Sequence, residues 1–134
     1  MSVSESYPNI LAALCVWREA RGECKEARRG VLHTILNRAS RKYFGSDIVS
    51  VVLYPMQFSS FNRNDPNAYK FPNPKDAIEW KAWLECCAIV DSPGDDPTLG
   101  AVLYESIPNP DQRPPWAIPA RQTVSIGNFR FYRT

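Results

Sequence analysis

One carboxylate in this sequence occupies the position expected of a general acid. Glu19 falls within residues 17–23, near the predicted end of an amphipathic helix that stops at Gly22. The unpaired carbonyl groups at a helix end carry partial negative charge, which disfavours ionisation of a neighbouring half-buried carboxyl group. A carboxyl group that stays protonated near neutral pH can donate a proton to a leaving oxygen. The alternative is an exposed residue that pairs with Arg18 or Arg21.

Other catalytic chemistries lack their characteristic residues. His33 is the only histidine, so a multi-histidine metal site is excluded, and we interpret it as structural. The sequence also lacks the motifs of serine hydrolases, P-loops and dinucleotide sites. The four cysteines are Cys15, Cys24, Cys86 and Cys87. Their spacing does not suit zinc, and we expect them to be reduced and partly buried, although a thiol mechanism that uses Cys24 with His33 stays open.

Aromatic and amide side chains suited to holding a sugar chain occur later in the sequence. Gln57, Ser59, Tyr104 and Thr123 are the candidates for polar contacts with such a chain. Trp116 lies in a proline-rich segment, and sugar stacking and simple packing are equally open for it.

A second carboxylate would be needed by some glycosidase mechanisms. Glu23 is the nearest candidate, but we favour a structural role in which it caps the second helix or pairs with Arg38. Asp95, Asp96 and Glu105 are weaker options.

Helices in the first two thirds of the chain are predicted to position the acid. The first helix begins at Ile10, and the second covers residues 26–40 with Ala27, Val31, Ile35 and Ala39 on its core face. A short third helix, capped by Ser46-Asp47, is predicted to run through Leu53. A long fourth helix is expected to follow Asn73 as its N-cap and to end near Val90. Its predicted core face is Ala77, Trp80, Leu84, Cys87 and Ala88.

Strand patterns are confined to the last third. Residues 101–104 form one candidate strand, and residues 123–126 and 129–132 form a hairpin across Gly127 and Asn128 with a type II′ turn. The predicted fold class is therefore α+β, a mainly helical domain with a small antiparallel sheet or hairpin at its C-terminal end. We expect a single catalytic domain over residues 1–134, with residues 1–9 as an N-terminal extension.

Charge and hydropathy exclude several classes of partner. The 16 Lys and Arg residues exceed the 14 Asp and Glu residues only slightly, giving a net charge of +2, and they are scattered. We therefore expect no nucleic-acid partner. No apolar run approaches the roughly 20 residues of a membrane span, and the N-terminus lacks a secretory signal pattern. The expectation is synthesis in the cytoplasm without membrane insertion.

Several short motifs occur in a fixed order along the chain. They are Glu-Ala-Arg-Gly-Glu at 19–23, Leu-Asn-Arg at 36–38, Gln-Phe-Ser at 57–59, Asp-Pro-Thr at 96–98, Ile-Gly-Asn at 126–128 and Phe-Tyr at 131–132. With these motifs the chain resembles the SleB-type, spore-cortex-lytic cell wall hydrolase family from residue 11 onward. Two departures are Arg28, where the family usually has glutamine, and Phe129, where it usually has histidine.

The resemblance implies a lysozyme-like fold that acts on peptidoglycan glycan strands, with Glu19 as the catalytic acid and no metal or organic cofactor. Because one carboxyl group suffices for intramolecular attack by a muramic 6-hydroxyl group, we interpret the enzyme as a lytic transglycosylase, with a muramidase as the nearest variant. The alternatives from other classes are a cysteine amidase or peptidase and a non-catalytic glycan- or protein-binding module. We expect a monomer, either a phage endolysin released through a holin-type lesion or an effector delivered by a secretion system.

Overall fold

The computed structural model describes residues 6–55, 57–61, 64–107 and 113–134, except for the side chain of Ser59. The described residues form four α-helices: α1 (Tyr7–Ala20), α2 (Lys25–Arg41), α3 (Ile48–Val52) and α4 (Ala77–Asp91). Three strands follow: β1 (Leu103–Ser106), β2 (Gln122–Ile126) and β3 (Phe129–Tyr132). No helix in this part of the chain is long and apolar enough to cross a membrane.

Helix α1 lies at the centre of the core. Ala12, Cys15, Val16 and Trp17 have no exposed surface, and the helix packs against α2, α3 and α4. It begins at Tyr7 rather than Ile10, because Pro8 is accepted in the first turn of a helix, where its missing N–H group has no partner to lose. Residues 7–9 therefore belong to the domain and not to the predicted extension.

Helix α2 packs as its sequence pattern predicts. Ala27, Val31 and Ile35 are fully buried, and Ala39 packs against the same core with part of its surface exposed. The helix ends at Lys42, which adopts a left-handed conformation with φ +57° and donates its N–H group to the Ala39 carbonyl group at 3.3 Å.

Helix α3 is fixed by a reciprocal cap at its start. The Asp47 carboxylate accepts the Ser50 N–H group at 2.8 Å, and the Ser50 hydroxyl accepts the Asp47 N–H group at 3.2 Å. This arrangement confirms Asp47 as the predicted N-cap. The helix leads into residues 57–61, of which Ser60 lies near Glu19.

Helix α4 differs from its prediction in both its start and its buried face. Asp76, not Asn73, is the N-cap, and its carboxylate accepts the N–H groups of Ile78 and Glu79. Cys86 and Ile89 are buried, whereas Leu84 on the predicted core face is 53% exposed. The helix carries apolar residues around most of its circumference, so its spacing alone does not identify the side that faces α1.

The sheet places its strands in the order β1-β3-β2, and both pairs are antiparallel. The predicted hairpin is confirmed, with Gly127 at φ +56° in its turn. Strand β1 begins at Leu103, two residues later than expected. The fold class is α+β, mainly helical with a small antiparallel sheet, as predicted.

The two faces of the sheet pack into two different hydrophobic clusters. Tyr104 lies opposite Phe131 on the face that packs against the main helical core, and Leu103 lies opposite Tyr132 on the other face. Phe131 reaches α2 so closely that a Cβ atom on Gly30 would lie 2.5 Å from its ring. A glycine is therefore required where α2 meets the sheet.

This contact predicts a loss of stability on Gly30→Ala. The added methyl group overpacks the interface, and we expect the free energy of unfolding to fall by about 1–3 kcal/mol. Gly22→Ala is the matched control, since a Cβ atom there meets nothing within 4 Å. Urea unfolding of both variants checks the prediction, and equal midpoints for the two would contradict it.

Candidate active site

A hydrogen bond joins the end of α1 to the first strand of the sheet. Glu19 is half-buried in the last turn of α1, and its Oε1 atom accepts the Tyr104 hydroxyl at 2.8 Å. The two groups face a cavity of about 590 Å³. Three segments line it: residues 18–23, which include the end of α1; residues 104–106 of β1; and Asn128 and Phe129 at the hairpin. The cavity is open to solvent, so a polymer could reach Glu19.

The environment of Glu19 favours its protonated form. Burial raises the pKa of the carboxyl group above its ordinary value, and the negative charge of Asp65 raises it further. Hydrogen bonding by Tyr104, the nearby Ser60 hydroxyl and the charge of Arg38 act in the opposite direction, but burial is the largest effect. The direction agrees with the sequence-based expectation, whereas the cause is burial rather than the carbonyl groups of the helix end.

Those carbonyl groups are neutralised by Arg28. Its guanidinium donates to the carbonyl oxygen of Ala20 at 3.2 Å and to that of Arg21, and forms an ion pair with Glu85 at 2.6 Å. Because donors at a helix C-terminus offset the partial negative charge there, Arg28 holds the α1 end in place beside Glu19. Arg28, at a position where the family usually has glutamine, thus caps the C-terminal end of α1.

Arg38 provides a buried positive charge behind the carboxyl group. It is 3% exposed, donates Nε to the Val102 carbonyl at 2.6 Å, and lies 4.8 Å from the centre of the Phe58 ring. No described carboxylate lies within ion-pair distance of it. An unpaired charge in a low-dielectric interior acts over a long range, and that of Arg38 favours ionised Glu19.

Ser60 is a serine whose side chain lies beside Glu19. It is 1% exposed, and its hydroxyl lies close enough to lower the pKa of Glu19, although no described residue gives it a hydrogen bond of good geometry. The predicted Ser59 side chain is outside the described residues. Its expected contact with a sugar chain stays a prediction.

The two arginines that could have paired with Glu19 bind other groups. Arg18 donates Nε to the Lys70 carbonyl at 3.0 Å. Arg21 lies over the Trp17 ring at 4.6 Å and reaches the Asn67 side chain at 3.5 Å. Among the described residues Glu19 therefore has no ion-pair partner, which favours a carboxyl group that holds a proton.

Of the predicted sugar-binding residues, Tyr104 alone is among the described residues that line this cavity. Gln57 is half-buried and donates its backbone N–H to the Tyr54 carbonyl at 3.2 Å. Thr123 donates its hydroxyl to the Phe131 carbonyl at 3.3 Å on the far side of β3 from β1. The structure thus does not bring Gln57 or Thr123 to the cavity wall.

Trp116 lies against the opposite face of the sheet. Its ring meets the Tyr132 ring edge-on at 5.3 Å and packs with the smaller cluster that contains Leu103. Since Tyr104 projects from the other face, the sheet separates Trp116 from Glu19. Of the two interpretations left open for this residue, the packing role agrees with the geometry.

Glu23 has a different partner from those predicted. Its carboxylate accepts the Asn128 backbone N–H at 3.2 Å and the Asn128 side-chain amide at 3.1 Å. It therefore fixes the hairpin turn, instead of capping α2 or pairing with Arg38. The expectation of a structural Glu23 agrees with this geometry. The partners that we predicted for it were wrong, because the packing of the hairpin decides which group lies next to Glu23.

Two of the three remaining carboxylate options, Asp96 and Glu105, are occupied as well. Asp96 accepts the N–H groups of Thr98 at 2.8 Å and Gly100 at 3.0 Å and orders its loop. Glu105 points to the far face of β1, where it binds Arg113 at 2.9 Å and the Tyr132 hydroxyl. Asp65, which sequence analysis missed because it lies in a polar loop without a pattern, is the carboxylate whose charge acts on Glu19.

The cysteine alternative lacks a catalytic pair. Cys24 is exposed at the start of α2, and His33 lies more than two turns further along the same helix. The His33 ring is engaged with the Pro93 carbonyl at 3.0 Å. Burial raises the pKa of Cys86 to about 12 and that of Cys87 to about 11, so neither is an activated thiolate.

Phe129 occupies the second position at which the chain departs from the family pattern. Its ring is 6% exposed and meets the edge of the Tyr104 ring at 5.2 Å. Phe131 lies 5.9 Å from the same ring. An apolar residue at this position holds the Tyr104 ring without competing for its hydroxyl.

Comparison with known proteins identifies the family. The model of the cell wall hydrolase family matches residues 22–132, so the chain belongs to this family, as its motifs predict. Glu19 lies just before the matched residues. No curated protein sequence matches significantly.

Two solved structures are similar over nearly the whole chain. The catalytic domain of the germination-specific lytic transglycosylase SleB from Bacillus anthracis is 30% identical, with a TM-score of 0.66 over 96% of each chain. The catalytic domain of the Bacillus cereus SleB protein is also 30% identical, with a TM-score of 0.66 over 92% of this chain and 87% of that one. The SleB-type relationship inferred from the motifs is confirmed.

The Tyr104 hydrogen bond predicts a pKa change that can be measured directly. We expect Tyr104→Phe to raise the pKa of Glu19, because the donor that stabilises the carboxylate is lost while burial remains. Carbon-13 NMR titration of the Glu19 carboxyl group measures this pKa. Tyr132→Phe is the matched control, since its hydroxyl lies on the other face of the sheet. An unchanged pKa in Tyr104→Phe would show that the bond has no influence on the acid.

The buried charge of Arg38 predicts a change in the same direction. For Arg38→Met we expect the pKa of Glu19 to rise, since the substitution removes a buried positive charge that favours the carboxylate. Arg38→Lys keeps the charge and should leave the NMR titration of Glu19 close to that of the parent. Identical curves for the Met and Lys variants would exclude an electrostatic role.

Proposed function

We propose that this protein cleaves the glycosidic bond between N-acetylmuramic acid and N-acetylglucosamine in peptidoglycan, with Glu19 as its catalytic acid. The observation that carries the proposal is a half-buried carboxyl group with a raised pKa at the wall of an open cavity. Membership of the cell wall hydrolase family supports peptidoglycan as the substrate. The name of the similar Bacillus anthracis protein supports lytic transglycosylation as the reaction.

In this mechanism one carboxyl group acts twice. Protonated Glu19 donates its proton to the bridging oxygen as the bond from muramic C1 to that oxygen breaks. The resulting carboxylate then accepts the proton of the muramic 6-hydroxyl group, whose oxygen bonds to C1. The products are a free N-acetylglucosamine 4-hydroxyl end and a 1,6-anhydromuramic end. No water is consumed, and Glu19 returns to its protonated form.

Tyr104 and Arg38 favour the ionised form of Glu19 that exists between the two proton transfers. Tyr104 remains a hydrogen-bond donor over the working pH range, because burial raises the pKa of its own hydroxyl well above the usual value. Burial alone would raise the pKa of Glu19 further, and these two groups moderate that effect. The balance raises the pKa of the carboxyl group, which favours the protonated form that the first step needs.

Hydrolysis by a muramidase is the second candidate, and Asp65 is the observation that favours it. A hydrolytic mechanism requires another carboxylate as base or nucleophile. Asp65 is half-buried and near enough for its charge to act on Glu19. In the transglycosylase mechanism Asp65 only raises the pKa of the acid, whereas in hydrolysis it would take part in the reaction.

Product analysis of digested sacculi tests these mechanisms. We expect Glu19→Gln to reduce turnover by at least 100-fold, because an amide cannot donate the proton. The parent enzyme should release anhydro-muropeptides, and its activity should fall as pH rises through the raised pKa of Glu19. Mass spectrometry of the soluble fragments identifies the bond that is cut. Glu26→Gln, which removes an exposed carboxylate paired with Arg29, is the control.

Other products would contradict the proposal in different ways. Reducing muramic ends that disappear in Asp65→Asn would identify a muramidase. Free stem peptides would identify an amidase or peptidase. Unimpaired digestion by Glu19→Gln would remove Glu19 from the mechanism, and sugar binding without turnover in the parent would identify a binding module. Release through a holin-type lesion or a secretion system stays a prediction.

A further inference from the structure

We propose that the exposed ring of Phe71 is a stacking platform for one sugar ring of the glycan strand, which extends the cleft beyond the cavity around Glu19. The inference rests on the proposed function and adds a binding position that the sequence did not suggest. Phe71 is 64% exposed, yet one side of its ring is covered by the guanidinium of Arg18 at 4.9 Å. The exposed surface is therefore a flat apolar face on a fixed support.

Arg18 makes this support rigid. Its guanidinium lies between two rings, 4.7 Å from the centre of Phe61 and 4.9 Å from that of Phe71. It also donates to the Lys70 carbonyl at 3.0 Å and to the Ser60 carbonyl at 3.3 Å. Arg18 itself is only 7% exposed. A ring held in this way loses little further freedom when a ligand stacks on it, which favours binding.

Arg18 connects the platform to the neighbourhood of the reacting carboxyl group. Arg18 and Glu19 are consecutive residues of α1, and both line the cavity. Ser60, which faces Glu19, belongs to one of the two segments that Arg18 joins by its hydrogen bonds. One arginine thus connects the segment near the acid with the segment that bears Phe71. A glycan strand bound across Glu19 would pass this edge of the cavity.

The ligand that fits this surface is the apolar C–H face of an N-acetylhexosamine ring. An aromatic face offers contact area without any hydrogen-bond requirement, and sugar sites combine such faces with a small number of polar groups. Two other strongly exposed apolar residues lack such a surface. Ile78 is 84% exposed on α4 and Leu99 is 72% exposed in the loop before β1. Both are aliphatic, so they present no flat face.

Binding to the catalytically inactive protein tests this proposal without relying on turnover. The probe is a peptide-free oligosaccharide of alternating N-acetylglucosamine and N-acetylmuramic acid, titrated by calorimetry into Glu19→Gln. We expect Phe71→Ala in that background to weaken binding about five- to tenfold, and Phe71→Trp to retain it. Ile78→Ala is the matched control for an exposed apolar residue and should leave the affinity unchanged.

Kinetics of the active enzyme provide a second readout. With Glu19 intact, Phe71→Ala should raise KM with kcat unchanged, since the platform binds the ground state and the transition state alike. Equal affinities for Phe71→Ala and its parent, or a loss of kcat without a change in KM, would overturn the platform. Digestion of sacculi by Glu19→Gln would instead contradict the proposed function, and the calorimetric comparison at Phe71 would still decide the platform.

Discussion

The hydrogen bond between Tyr104 and Glu19 is the interaction on which the site depends. It connects side chains 85 residues apart in sequence and joins the end of the central helix to the edge strand β1. The hydroxyl can reach Glu19 because Phe129 and Phe131 hold the Tyr104 ring from the side of β3. The sheet in turn can approach the helices because Gly30 leaves room for Phe131. The small sheet therefore positions one hydrogen-bond donor, the Tyr104 hydroxyl group, against Glu19.

Electrostatic balance around Glu19 follows from the same packing. Burial favours the neutral acid, and the described groups around it limit this effect without forming an ion pair that would abolish it. Arg28 satisfies the carbonyl groups at the α1 end, and Arg38, which has no described carboxylate within ion-pair distance, adds a positive charge over the Phe58 ring. The other carboxylates near the cleft, Glu23 and Glu105, are held by structural partners. This difference distinguishes Glu19 from every other carboxylate on the cavity wall.

Sequence reasoning failed where more than one packing is compatible with the same pattern. Helix α4 is apolar on several sides, so its spacing did not reveal that Leu84 faces solvent. Trp116 could pack or bind sugar, and only the arrangement of the sheet put it on the face away from Tyr104. Asp65 lies in a loop whose sequence has no periodicity, and its relation to Glu19 arises entirely from folding.

The sequence by itself determined what depends on neighbouring residues and on motif order. It gave the helix end near Glu19, the core face of α2, the cap at Asp47, the hairpin and the family. Tertiary structure alone decided which distant groups meet: Ser60 lies beside Glu19, Asn128 is the partner of Glu23, and burial raises the pKa of Glu19. The reason is that local propensities act over a few residues, whereas contacts between distant segments depend on how whole helices and strands pack.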